Sequence, residues 1–312
     1  MDKMKPHELE GNIFMQPWWL DIVAPGRWED VTIEKGGEVF ARWPIVKKKD
    51  RGFLLIEMPV LTQKLGPWIK QTSSKKQAIH SNERSTLIKL IKKLPKFDKF
   101  NYNLSSDITN HLPFIWNGFE QSSGTTFQIQ FPFSVDEQWE RLKSAVRRDI
   151  RRADEVLTIS ANIDADRLYK MIELTFDRQG KKPPYSKQLL GKIYKTGSEQ
   201  NRAQIFGALD NEGKLHAAQL IIHDDDSSYY LAGGFDPTSE IPGAVSFLLW
   251  NSIKEAHKRD NTFDFEGSSV EPIEYYFSSF APKTVHFHCI RGMSKKYAPI
   301  HFSKKLLAKL MR

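Results

Sequence analysis

Phe263-Asp264-Phe265-Glu266-Gly267-Ser268 is the stretch on which the reading of this chain turns. In an extended strand successive side chains point to opposite faces, so Phe263 and Phe265 share one face and Asp264 and Glu266 the other. The aromatic face suits a core. The acidic face, followed by a glycine that lets backbone or ligand come close, makes either a solvated strand face or a reactive edge.

Upstream, three strand patterns follow one another over 203–209, 215–222 and 228–235, joined by turns at Asp210-Asn211-Glu212-Gly213 and Asp224-Asp225-Asp226. Such spacing predicts an antiparallel meander. Ile241-Pro242-Gly243-Ala244 then opens a helix through Phe247, Leu248, Trp250, Ile253 and Ala256, which ends before Phe263. A strand leading into a Gly-Ala helix start can hold phosphate, because unpaired amides and the helix dipole favour an anion there. The same residues also make an ordinary helix start.

Further upstream a helix is predicted over 135–156, with Trp139, Leu142, Val146, Ile150 and Ala153 on its buried stripe. Another face carries Arg147, Arg148, Arg151 and Arg152. These make either a solvated face balanced by Asp149, Asp154 and Glu155 or a phosphate clamp, since the arginine fork matches phosphate geometry.

The first half repeats this order coarsely. A Trp-rich short helix at 16–28 leads to a hairpin with its turn at Gly36-Gly37, a strand from Phe53, an apolar loop from Met58 to Trp68, and a helix running to Lys93. Strands near 99–104 and 125–131 finish it, and Pro132-Phe133-Ser134 punctuates a boundary. The expected domains are therefore 1–133 and 134–312.

Composition narrows the class. The 312 residues include 40% hydrophobic and 27% charged, which is globular. A net charge of +8 favours anionic partners: phosphorylated cofactors, RNA or an acidic membrane surface. With one cysteine, Cys289, neither a disulfide framework nor a cysteine metal cluster is available, and no metal is expected. His216, His286 and His288 read as partners in hydrogen bonds rather than metal ligands. No apolar run approaches the roughly 20 residues of a bilayer span and the N-terminus lacks a secretory core, so the expectation is a cytoplasmic protein.

The meander, the Gly-Ala helix start and Phe263–Ser268, continued through Ile273, Tyr275-Tyr276-Phe277 and Phe280, resemble the FemAB-like branch of the GNAT acyltransferase superfamily. Arg147-Arg148-Asp149-Ile150-Arg151-Arg152-Ala153 looks like that branch's entry to its second domain, and Leu231-Ala232-Gly233-Gly234-Phe235-Asp236-Pro237 also fits. The segments Pro17–Asp21 and Pro59–Gly66 resemble the first domain of a mainly Bacteroidetes group. The likeness covers about Gln16 to Ile290.

The resemblance implies an α/β (α+β) fold of two tandem GNAT-like domains, each a mixed, mainly antiparallel sheet flanked by helices. It implies transfer of an acyl group to an amine, from acyl-CoA such as acetyl-CoA or from aminoacyl-tRNA. On this reading Glu266 or Asp264 takes the amine proton, an amide near Gly233-Gly234 stabilises the oxyanion, and Tyr230 protonates the leaving group. Gly243, Ala244 and the arginines Arg147, Arg148 and Arg151 hold the donor's phosphates. The acceptor is a small-molecule or lipid-linked amine. The alternatives are aminoacyl-tRNA-dependent transfer to a peptidoglycan-type cell-envelope precursor, and an anion- or RNA-binding protein that keeps the fold without the chemistry. The basic tail from Lys304 to Arg312 reads as a helix docked on the second domain or in weak contact with a membrane surface.

Overall fold

The computed structural model describes residues 11–71, 75–267, 270–301 and 303. It divides into two units: the residues up to Gly124 together with those from His286 onward, and Thr125–Val285. The predicted basic tail helix lies outside the described residues.

In the first unit, α1 (Pro17–Val23) starts on a proline, whose missing amide is not needed at that position, and buries Trp19, Leu20 and Val23. Strands β1 (Trp28–Lys35) and β2 (Glu38–Asp50) form a hairpin around Gly36 and Gly37. Both glycines have positive φ, as a tight hairpin turn requires. β3 (Phe53–Glu57) extends the meander antiparallel to β2, and β4 (Trp68–Ile69) adds two residues to β2. The chain then crosses over through α2 (Lys76–Lys93), and β5 (Lys99–Asn103) returns parallel to β3. α3 (Leu112–Trp116) and β6 (Glu120–Ile129) follow. Trp43, fully buried, centres this core with edge-on contacts to Phe100, Tyr102 and Phe114 at 5.5, 6.1 and 5.7 Å.

The second unit opens with α4 (Val135–Arg141) and α5 (Ser144–Asp154). The single helix expected over 135–156 is broken at Leu142, whose backbone is extended (ψ 144°), and the Lys143 amide donates to the Ser279 carbonyl at 3.0 Å. A periodicity signal cannot see such a break, because Leu142, Val146, Ile150 and Ala153 still all enter the core. Next come β7 (Thr158–Ser160), α6 (Ala165–Asp177) and α7 (Lys187–Glu199), then the meander β8 (Ala203–Leu209), β9 (Leu215–His223) and β10 (Ser227–Phe235). α8 (Ala244–Lys258) crosses over to β11 (Thr262–Asp264), which lies parallel to β10. α9 (Glu271–Ser278) and β12 (Lys283–Met293) complete the described order.

Both units thus carry a mainly antiparallel sheet with one parallel pair made by a helical crossover. β6 runs across the division between Gly124 and Thr125, and β12 across that between Val285 and His286. Gln128 and Ile129 of β6 pair with Asp264 and Phe263 of β11, whereas Cys289–Met293 of β12 pair with Asn103–Lys99 of β5. The units are therefore not the consecutive segments 1–133 and 134–312 that local punctuation suggests. Ladder partners separated by such long stretches leave no mark on local sequence pattern.

Candidate active site

The site is built where β10 and β11 part. They pair at only three positions, Ser227 with Thr262, Ser228 with Phe263 and Tyr229 with Asp264. β10 continues to Phe235, still paired with β9, while β11 stops. At that point the β9 register slips: Tyr230 faces Ile221 and Ala232 faces Leu220, leaving Leu231 as the extra residue of a bulge. The bulge reverses the alternation, so Tyr230 and Gly233 come to share a face. A Cβ on Gly233 would lie 2.3 Å from the Tyr230 hydroxyl, so only glycine leaves room for that ring. Gly234 has a different constraint: its Cβ would meet the Met171 backbone of α6 at 2.3 Å. The two glycines chosen from sequence therefore serve close approach, one to a tyrosine and one to a helix.

Around Tyr230 stand residues that sequence reading did not select. Burial, and then the proximity of Tyr276, raises the Tyr230 pKa, keeping its hydroxyl protonated. Tyr185 is raised by burial and then by Tyr230 and Tyr169, and its carbonyl accepts from the Tyr169 hydroxyl at 3.0 Å. Tyr276 of α9 is raised by burial, and its hydroxyl shares a 2.8 Å hydrogen bond with Ser246 Oγ in the first turn of α8. The one sequence sign was the run Tyr275-Tyr276-Phe277, which entered the resemblance but fixed neither the helix nor the side that Tyr276 faces.

α8 begins at Gly243, which is left-handed (φ 84°, ψ 2°) and supplies no side-chain cap. Neither does any acidic residue occupy the first turn, so its early amides retain their positive end. A Cβ at Gly243 would lie 2.3 Å from the Asp149 carbonyl oxygen of α5, so glycine here is also what lets α5 pack against the helix start. Ala244, next in line, is buried.

The four arginines of α5 have different surroundings. Arg147 pairs with Glu140 of α4, and Arg151 lies over the Trp139 ring at 5.5 Å. Arg148 is 62% exposed at its side chain, with Asp149 at 3.7 Å. Arg152 is exposed.

The opening stretch departs from the simple strand. Phe263 and Phe265 are buried as expected, but so are Asp264, at 0% exposure, and Glu266, at 7%. A solvated acidic face is therefore excluded. Asp264 accepts from Thr126 Oγ1, from Gln128 Nε2 at 2.9 Å and from the Glu266 amide at 2.8 Å. The last bond turns the chain out of the strand: Glu266 has φ 60° and Gly267 φ 54°. A Cβ at Gly267 would lie 2.2 Å from the Thr125 carbonyl oxygen. Asp264 is thus a buried anchor between β6 and β11 that fixes the conformation of Glu266.

Histidines outside this region are used structurally. His216 is held between Ser239 Oγ at 2.7 Å and Asp210 Oδ2 at 2.9 Å. His288 contacts Gln121 Nε2 at 3.1 Å and the Thr109 carbonyl at 3.2 Å. Among the described residues no three His, Cys, Asp or Glu side chains converge on a metal site. Among them, too, no helix is long and apolar enough to cross a membrane.

Residues 140–276 match the family described as the acetyltransferase (GNAT) domain. The crystal structure of FemX superposes with a TM-score of 0.68 at 14% identity, over 90% of this chain and 92% of that one. L-PGS from Bacillus licheniformis gives 0.55 at 12%, over 91% and 90%. The C-terminal domain of a candidate lysylphosphatidylglycerol synthetase from Agrobacterium fabrum gives 0.54 at 10%, over 92% and 93%. No curated protein matches the chain by sequence. At these identities the structural likeness is one of fold, and the matched segment contains β10, its bulge, α8, β11 and Tyr276. Residues 140–276 thus carry a match to the GNAT acetyltransferase domain, and the fold over nine-tenths of the chain is one shared with FemX.

Proposed function

We propose that the parted strands of the second unit transfer an acyl group from acyl-CoA to an amine acceptor. The observation that carries this reading is the separation of β10 from β11 directly at a bulge, beside a helix start with no side-chain cap. Alternate amides of a strand point to each side, so past Tyr229 some β10 amides face the side that β11 has left. A thioester carbonyl held there has donors for its developing oxyanion, the role assigned to the Gly233–Gly234 region. Ala244 and the first-turn amides of α8 receive the donor's phosphates, with Arg148 as the arginine best exposed to add charge.

In the reaction the amine nitrogen attacks the carbonyl carbon and a C–N bond forms as the C–S bond breaks. Glu266 takes the proton lost by nitrogen. Tyr230 gives its hydroxyl proton to the departing thiolate and recovers one from solvent. Asp264 is the positioning residue for Glu266, because its carboxylate accepts from Thr126 Oγ1, Gln128 Nε2 and the Glu266 amide and so fixes the turn at Glu266.

A second reading keeps the site and changes the donor to aminoacyl-tRNA, with a lipid-linked cell-envelope amine or hydroxyl as acceptor. The fold shared with FemX and with a candidate lysylphosphatidylglycerol synthetase, and the net charge of +8, support it. Both donors place the activity in the cytoplasm, with weak membrane-surface contact in the lipid case. Thermal shift separates them: stabilisation by acetyl-CoA and not by tRNA supports the first reading. Salt-sensitive retention of aminoacyl-tRNA supports the second. Ligand binding with no turnover on any amine, and indifferent to Glu266→Gln, would instead leave a binding protein on the same fold.

A further inference from the structure

The first unit has a half-open cavity of about 670 Å³, within the range of small-molecule sites. Met15, Trp68, Ile79 and Ile108 supply apolar wall, and the polar lining includes two carboxylates, Glu83 and Asp107. Glu83 is 8% exposed. Its Oε1 accepts from the amides of Thr109 and Asn110, both at 3.2 Å, while its Oε2 has no hydrogen-bond or ion-pair partner among the described residues. A nearly buried carboxylate that lines a cavity, with one oxygen tied down and the other unpartnered among the described residues, is costly unless a cation or donor completes it. Asp107 accepts from Ser105 Oγ at 2.8 Å through Oδ2. Among the described residues the one basic lining residue, Lys70, is drawn to Glu38 at 2.8 Å. His288, which feels the Glu83 charge, is held below its ordinary range chiefly by burial and is neutral at pH 7. The cavity is therefore electronegative inside a chain whose net charge is +8.

We infer that this cavity is a binding site for the protonated amine of a ligand with an apolar body, the ammonium donating to Glu83 Oε2 and the body lying along Trp68 and Ile79. A primary ammonium brings one positive charge and three donors, which answers an open carboxylate oxygen; an anion would meet two carboxylates. The aromatic wall adds cation–π attraction for the same charge. The inference does not rest on acyl transfer, since every lining residue belongs to the first unit.

Ligand-observed NMR titration of the full chain tests it with three probes of one shape: phenethylamine, phenethyl alcohol and hydrocinnamate. Saturable binding is expected for the amine alone. Glu83→Gln keeps the oxygen that caps Thr109 and Asn110 and removes the charge, and is expected to weaken the amine about tenfold or more. Ala78→Trp, at an exposed lining position of α2, abolishes binding by filling the cavity without touching Glu83. Ser246→Ala, in the second unit, leaves it unchanged. The inference is overturned if phenethylamine does not saturate or either neutral or anionic probe binds equally. It is equally overturned if the amine is indifferent to both first-unit variants, or is displaced by Ser246→Ala.

Discussion

The two crossovers of this molecule follow one plan and end differently. In the first unit β3 and β5 stay paired to the last residue of β3: Leu55 with Lys99, Ile56 with Phe100 and Glu57 with Asn101. In the second, β10 and β11 pair over the first three of β10's nine residues and then separate at the bulge. The helix starts differ to match. α2 begins with Lys75 and Lys76, whose charge opposes the positive end of a helix, whereas α8 begins with Gly243 and Ala244. At the parted crossover Tyr276 hydrogen-bonds Ser246 of the α8 first turn and lies close to Tyr230. The second strand pair thus ends at a defined position, at a bulge where Tyr230 packs over Gly233.

That claim is broken most directly at two glycines with nearly the same backbone. Gly243 has φ 84° and a would-be Cβ 2.3 Å from the Asp149 carbonyl oxygen, whereas Gly37, in the β1–β2 hairpin, has φ 83° and nothing within 4 Å. Gly37→Ala carries only the left-handed backbone penalty, about 1–2 kcal/mol. Gly243→Ala adds overpacking against a rigid helix backbone, for a total of about 3 kcal/mol or more in urea denaturation. Equal costs at both positions would mean that α5 does not hold the start of α8.

Asp264→Asn comes next. The amide group presents hydrogens to at least one of three donors, Thr126 Oγ1, Gln128 Nε2 or the Glu266 amide, leaving a buried donor unmet at a cost of about 1–3 kcal/mol. Because the Glu266 amide is one of them, turnover is expected to fall further than stability alone explains. An enzyme that loses 1–3 kcal/mol of stability and keeps full kcat would show that Glu266 does not depend on Asp264.

Particular residues show what could be read in advance. The meander and both crossover helices were legible, because acidic turns and apolar periodicity are local signals. Phe263 and Phe265 were correctly inward for the same reason. The left-handed Glu266 was not legible: glutamate has no local preference for that conformation, and it is imposed by an acceptor two residues back whose other partners lie in β6. Tyr276 was in plain sight as part of an aromatic run, but the face it presents depends on where α9 docks. The pairings of β6 with β11 and of β12 with β5 were illegible for the most general reason, since the partners are remote in sequence. Gly243 could be read as a phosphate-binding turn or an ordinary helix start, and its close contact with α5 was in neither reading.

The closed end of the second crossover should be the acid-sensitive part. His223 of β9 faces Ser228 of β10, with Nδ1 2.9 Å from Ser228 Oγ, and Asn261 reaches the same hydroxyl at 3.4 Å. Burial first, then the charges of Arg259 and Arg202, push the His223 pKa down to about 3 from an ordinary 6.5. The folded state therefore binds fewer protons than the unfolded state between these values. Its contribution is intact above pH 6.5 and is lost as pH falls from 6.5 toward 3. Going from pH 6.5 to 5 removes about 2 kcal/mol, and His223→Gln is expected to flatten that part of the stability–pH curve. An unchanged slope in the variant would assign acid sensitivity to other groups.

The smallest effects on stability sharpen the roles of the α5 arginines. Arg151 lies over Trp139, and losing a partly exposed cation–π contact costs about 0.5–1 kcal/mol. Arg148, largely exposed and 3.7 Å from Asp149, contributes within about 0.5 kcal/mol. If the start of α8 receives phosphate, the order inverts for donor binding: Arg148→Ala weakens it about tenfold at low salt, while Arg151→Ala changes it little. Added salt should narrow the Arg148 difference, because an exposed charge is screened. Calorimetric titration of both variants at two ionic strengths measures this directly. An Arg148→Ala protein that binds the donor like the parent would leave the α8 amides as the only phosphate contacts proposed here. A large loss in Arg151→Ala with unchanged stability would mean that the ring-stacked arginine swings from Trp139 to the ligand.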